Sequence, residues 1–135
     1  MYKRQLLTCS FASYVSLIRR TSEVNQLKEV LKRVAAKAEE AIVAAVEHNA
    51  TTSIVIRLPI RIGENDYWIR FSNDSSKAWV EGAFGETPRD EVQEYRVYLP
   101  KKVYASGTFV GKYELAVLDC SLNGSTPQLT LSQWG

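Results

Sequence analysis

Five carboxylates, Glu81, Glu86, Asp90, Glu91 and Glu94, crowd one short stretch of the chain. Paired carboxylates are what acid–base catalysis or a calcium site requires. Their spacing follows no calcium-loop pattern, and Gly82, Gly85 and Pro88 among them predict a solvated loop over 82–90. The single histidine, His48, has no partner at the spacing of a metal site or a catalytic triad. Near the end of a predicted helix, it suits a solvated side chain at the negative pole of the helix dipole. Cys9 and Cys120 cannot hold a metal by themselves, and their predicted elements stand far apart. No glycine-rich phosphate loop occurs. Tyr67, Trp68, Trp79, Tyr95, Tyr98, Tyr104 and Tyr113 could stack sugars or single-stranded nucleic acid. Sheet cores and cross-strand pairs use such residues more often. The expectation is a non-catalytic protein that needs no cofactor or metal.

One pattern exceeds the background. Asn49-Ala50-Thr51, Asn73-Asp74-Ser75 and Asn123-Gly124-Ser125 are all acceptors for N-glycosylation. With five asparagines and about 15% Ser and Thr, fewer than one such triplet is expected by chance. All three fall in predicted turns or at an element end. Asn, Ser and Thr enrich together in turns for conformational reasons as well.

The element that must organise the rest is a helix over 22–49. Val24, Leu27, Leu31, Val34, Ala38, Ala41 and Ala45 recur at steps of three and four, which places them on one helical face. Val30, Ile42 and Val46 widen that stripe. Lys28, Glu29, Lys32, Arg33, Lys37, Glu39, Glu40 and Glu47 occupy the other side. Thr21 or Ser22 would cap its start, and Asn49, followed by β-branched residues, its end.

Beyond the helix the period changes to two. Residues 53–62 put Ile54, Ile56, Leu58, Ile60 and Ile62 on one face, with Pro59 marking an edge or a bulge. A turn at 63–66 leads into a strand over 67–72, and the pair reads as a hairpin. Further strands are expected over 77–81, 94–99, 103–109, 113–120 and 129–132. The fold class is therefore α+β: a long N-terminal amphipathic helix packed on an antiparallel β-sandwich of six to seven strands.

At 135 residues, 45% hydrophobic and 24% charged, the chain is one domain with an extension. Its net charge of +2 is scattered and makes no case for nucleic acid. The extension is residues 1–20, leaving 21–135 for the helix and sandwich. Residues 1–5 resemble the translation of a transposon-end adaptor, which predicts a native start further upstream. From Leu6 to Ile18 there is no charge. Thirteen residues fall short of the ~20 that span a bilayer, but they suit the remnant of a membrane anchor, with Arg19 and Arg20 at its exit. Basic flanks favour the cytoplasmic side, which opposes an outward-facing domain.

This order of parts, an uncharged segment running into an amphipathic helix and then a β-sandwich bearing sequons, resembles archaeal type IV pilin-like proteins, including archaellins. The resemblance is one of architecture and covers the whole chain. The family's basic leader and its acidic residue near the mature start have no counterpart here. The resemblance implies a cell-surface, filament-forming glycoprotein. In it, 6–18 would anchor the subunit in the membrane, 24–46 would pack on the sandwich, and Asn49, Asn73 and Asn123 would carry glycans. Its partners would be other copies or surface proteins, met through the N-terminal helix. Two other functions stay open: a membrane-anchored sandwich that binds a ligand without polymerising, and a soluble cytoplasmic enzyme or nucleic-acid module.

Overall fold

The computed structural model describes residues 2–85, 95–100, 103–124 and 126–134, with side chains from residue 14 onward. Its order is one helix followed by seven strands: α1 (Tyr2–His48), β1 (Thr52–Arg57), β2 (Tyr67–Asn73), β3 (Ala78–Phe84), β4 (Tyr95–Tyr98), β5 (Tyr104–Val110), β6 (Leu115–Asn123) and β7 (Thr126–Gln133). The protein is α+β and largely sheet.

The helix is 47 residues long, about 70 Å at 1.5 Å per residue. It does not start at Thr21 or Ser22 as the sequence suggested. Thr21 sits in mid-helix, where its hydroxyl donates to the Leu17 carbonyl (2.9 Å). A Ser or Thr hydroxyl can be satisfied inside a helix in this way, so a capping residue type alone does not mark a start. The end is a true cap. Asn49 takes a left-handed φ of 49°, and the Ala50 N–H donates back to the Ala45 carbonyl (3.3 Å). That is the Schellman arrangement, which satisfies carbonyls the helix leaves unpaired.

Leu27, Leu31, Val34, Ala38, Ala41 and Ala45 are completely buried, and Val24 is half-buried. Val30 and Ile42 join them in the core, whereas Val46 remains 49% exposed. Val46 belongs to the last turn of the helix. Burying a Leu or Val side chain contributes roughly 1.5–3 kcal/mol, so Leu27, Leu31 and Val34 dominate this contact. The approach is close. A Cβ at Gly82 of β3 would lie 2.8 Å from the Trp68 carbonyl oxygen and 3.0 Å from Leu31 Cδ2.

The strands form one seven-stranded mixed sheet in the order β1-β6-β7-β5-β2-β3-β4. The expected hairpin of β1 with β2 does not form. β1 pairs with β6, and β2 with β3 and β5. Only a local bridge, Ile62 to Asn65, closes the turn between them. Strand β1 also stops at Arg57, before Pro59, which has no N–H to offer a ladder. Leu58 and Ile62 stay buried, but Ile60 is 52% exposed, so the alternation fails there. β1 and β4 are the two edges.

The sheet is not wholly antiparallel, because β7 inserts between β6 and β5 and runs parallel to β5. Strand β5 is the joint of the sheet. Its residues 104–107 pair with β7 and its residues 108–110 with β2. Gly107, with φ of +104°, stands at the changeover, where any Cβ would collide with the Leu131 backbone. The helix lies against β1, β6 and β7 on one side of this joint and β3 and β4 on the other.

Candidate functional site

Three regions carry side chains not accounted for by the core. The first is the N-terminal half of α1. Residues 14–22 are exposed on every side. They include Tyr14, Val15, Leu17 and Ile18, with Tyr14 and Leu17 more than 60% accessible. Arg20 makes the first described contact of α1 with the sheet domain, its guanidinium 4.8 Å above the Phe84 ring. One turn on, Glu23 accepts a hydrogen bond from Asn65 Nδ2 (2.9 Å), which also donates to the Ile62 carbonyl (3.3 Å). The turn at 62–65 thus grips the helix where it enters the domain. A groove of about 760 Å³ flanks this grip, lined by Leu17, Ile18, Val30, Pro59 and Ile62 with Arg33 and Arg61 among them. A second of similar volume opens beside it, past Val15, Arg19 and Glu64. Among the described residues no helix is long and apolar enough to cross a membrane.

The second region is the face of the sheet turned away from the helix. Trp68, Trp79, Glu81 and Ala83 are buried yet stand outside the core cluster, because they alternate with the inward residues of β2 and β3. Glu81, at the end of the strand expected over 77–81, lies inside β3 and is buried rather than solvated. Its carboxylate accepts from Arg70 Nε (2.8 Å), Ser72 Oγ (2.9 Å) and Trp79 Nε1 (3.1 Å), and Arg96 Nε stands 3.5 Å away. Arg70 lies over Trp68 and Arg96 over Trp79. A buried carboxylate is tolerable only when paired and hydrogen-bonded in this way. Glu86, Asp90, Glu91 and Glu94 lie outside the described residues. The period-2 pattern Trp79-Glu81-Ala83 puts Glu81 on one face with Trp79 and Ala83, and β3 runs on through Gly82 to Phe84, past the break expected there. The network has the construction of a structural clamp between β2, β3 and β4.

The third region is the end of the sheet where the helix stops. Asn49, Asn73 and Asn123 are all exposed there. The registers bring them together. Thr52 at the start of β1 faces Cys120, three residues before Asn123. Tyr104 at the start of β5 faces Gln128, near the start of β7. Asn73 at the end of β2 accepts a hydrogen bond from the Ala105 N–H through Oδ1 (3.1 Å).

Other groups with chemical potential stand apart. Among the described residues no three His, Cys, Asp or Glu side chains gather to hold a metal ion. His48 is exposed in the last helical turn. Cys120 is a buried free thiol, pushed up from its ordinary pKa by desolvation; the Cys9 side chain lies outside the described residues. Tyr67 is completely buried, its hydroxyl donating to the Pro59 carbonyl (2.5 Å), and burial holds its phenol well above the usual range. The remaining expected aromatics divide between core and surface: Tyr95 packs on the core, while Tyr98, Tyr104 and Tyr113 are exposed.

No curated protein and no solved structure matches this chain. A family model matches residues 2–132, nearly the whole length, and the chain therefore belongs to a family of unknown function, DUF7266.

Proposed function

We propose that the protein is a non-catalytic cell-surface structural or adhesive subunit, resembling archaeal type IV pilins, that self-associates through the N-terminal half of α1. The observation that carries this reading is the solvent-exposed run of Tyr14, Val15, Leu17 and Ile18, continuous with the uncharged stretch that begins at Leu6. Contiguous exposed apolar surface of this kind marks an interaction site in a soluble domain or a contact with lipid. The helix is gripped at Arg20 and Glu23, so its free half is held at a defined angle to the sheet domain. The finer architecture belongs to the same reading. The two strand groups on either side of β5 act as the leaves of a sandwich bent around the helix.

A second reading keeps the same rod and places it in a membrane without polymerisation. The charge-free run closed by Arg19 and Arg20 favours it. One experiment separates the two. Sedimentation and electron microscopy of the full chain, with and without Leu17→Asp/Ile18→Asp, test for assembly, and flotation with lipid vesicles tests for insertion. Concentration-dependent assembly that the double substitution abolishes supports the first reading. Vesicle binding by a protein that stays monomeric supports the second. A monomer that ignores vesicles defeats both.

A further inference from the structure

We propose that Asn49, Asn73 and Asn123 carry N-linked oligosaccharides, and that together they make one end of the domain a glycosylated pole. Each triplet alone is a short motif. The sheet topology adds what the sequence could not show: three sites separated by up to 74 positions in the chain arrive at the same end. It is the end opposite the grip at Arg20 and Glu23, so sugars there leave the projecting half of α1 unobstructed.

The local chemistry separates the asparagines from the hydroxyls two residues on. Two of the asparagines have structural work that would explain them without any sugar. Asn49 supplies the left-handed residue of the helix cap, and Asn73 Oδ1 accepts from Ala105. That work does not explain Thr51 and Ser75. Both are exposed, and neither makes a hydrogen bond among the described residues. In the 73–77 turn it is Asp74 that binds the Ser76 and Lys77 N–H groups (2.8 and 2.7 Å), which leaves the Ser75 hydroxyl idle. A hydroxyl at this position is what an N-glycosylating enzyme requires of its acceptor. Asn73 is also presented suitably: its carbonyl oxygen is held, while Nδ2 has no partner among the described residues. Asn123 ends β6 beside Gly124, which has a left-handed φ of 67° and no atom within 4 Å of where a Cβ would sit. That tip is open to solvent.

In the reaction, Nδ2 attacks the anomeric carbon of a lipid-phosphate-linked oligosaccharide. The new N–C bond replaces the C–O bond to phosphate, one amide proton is lost, and the lipid phosphate leaves. The test is intact-mass measurement and glycopeptide mapping of the full chain purified from its native cells. It is repeated with Thr51→Ala, Ser75→Ala and Ser125→Ala, which keep every asparagine in its structural role. The expected result is sugar on all three asparagines. Each substitution then removes one mass increment and leaves the melting temperature of the deglycosylated protein unchanged. An unmodified asparagine at any of the three sites overturns the proposal. This outcome is independent of assembly through the helix, which the Leu17/Ile18 variant tests separately.

Discussion

The two halves of α1 both carry apolar side chains and meet opposite environments. The half that enters the core buries Leu27, Val30, Leu31, Val34 and Ile42 together with the small Ala35, Ala38, Ala41 and Ala45. The half that leaves the core carries side chains of the same kind, Tyr14, Leu17 and Ile18, and keeps them at least 50% exposed. Side-chain hydrophobicity did not decide which half was covered. The available partner did. The alanines let the sheet approach closely, so that Leu27, Leu31 and Val34 beside them are covered completely. The free half makes no such contact, so its apolar surface is the part of the helix that a partner can still use.

Four substitutions break or sharpen that comparison. The largest effect is expected from Leu31→Asp, which sets a charge in the completely buried contact facing Gly82. It should cost about 4 kcal/mol or more and unfold the domain, as read by circular dichroism melting. An unchanged melting temperature would mean that the buried half does not hold the fold together.

Glu81→Ala asks whether burial on the opposite face of the sheet matters as much. Removing one partner of a buried ionic cluster costs roughly 3–5 kcal/mol, and urea denaturation should show a loss of that size. A loss under about 1 kcal/mol would reduce the cluster to the worth of a surface ion pair.

Tyr67→Phe is a smaller change. It removes the hydrogen bond to Pro59 for about 1 kcal/mol at neutral pH. It also alters the alkaline limb. The folded phenol has a raised pKa, so above about pH 10 the unfolded chain releases this proton while the folded chain keeps it. Stability contributed by the neutral phenol is therefore full below that pH and declines as pH rises through it. Melting curves between pH 9 and 11, roughly spanning that range, should fall less steeply in Tyr67→Phe than in the parent.

The smallest effect belongs to Ile18→Asp in the free half. The monomer's stability should stay within about 0.5 kcal/mol of the parent, measured under conditions where the parent is monomeric. A loss comparable to that of Leu31→Asp would show that residue 18 is covered after all, and the contrast between the halves would collapse.

Periodicity was enough to identify the packed half of the helix. Seven positions at steps of three and four had to share a face, and only a sheet or another helix could cover them. The strand segments were legible for the same reason, since a period of two survives wherever one face is buried. Pairing was not. β1 and β2 are neighbours in the chain, and a turn lies between them, yet β1 finds β6. Local patterns specify which face of a strand is apolar, not which distant strand completes its ladder. The strand ending at Glu81 was read too short because glycine usually breaks a strand, whereas Gly82 lies within β3 and is there to admit Leu31.

The sequence by itself determined that there would be a helix with one apolar stripe, several short strands after it, and three acceptor triplets in turns. All of these depend on residues a few positions apart. Only the tertiary structure decided that β1 completes its ladder with β6, that β5 joins two groups of strands through Gly107, and that Asn49, Asn73 and Asn123 meet at one end. Each of those depends on contacts between residues far apart in the chain, whose energies no local spacing records.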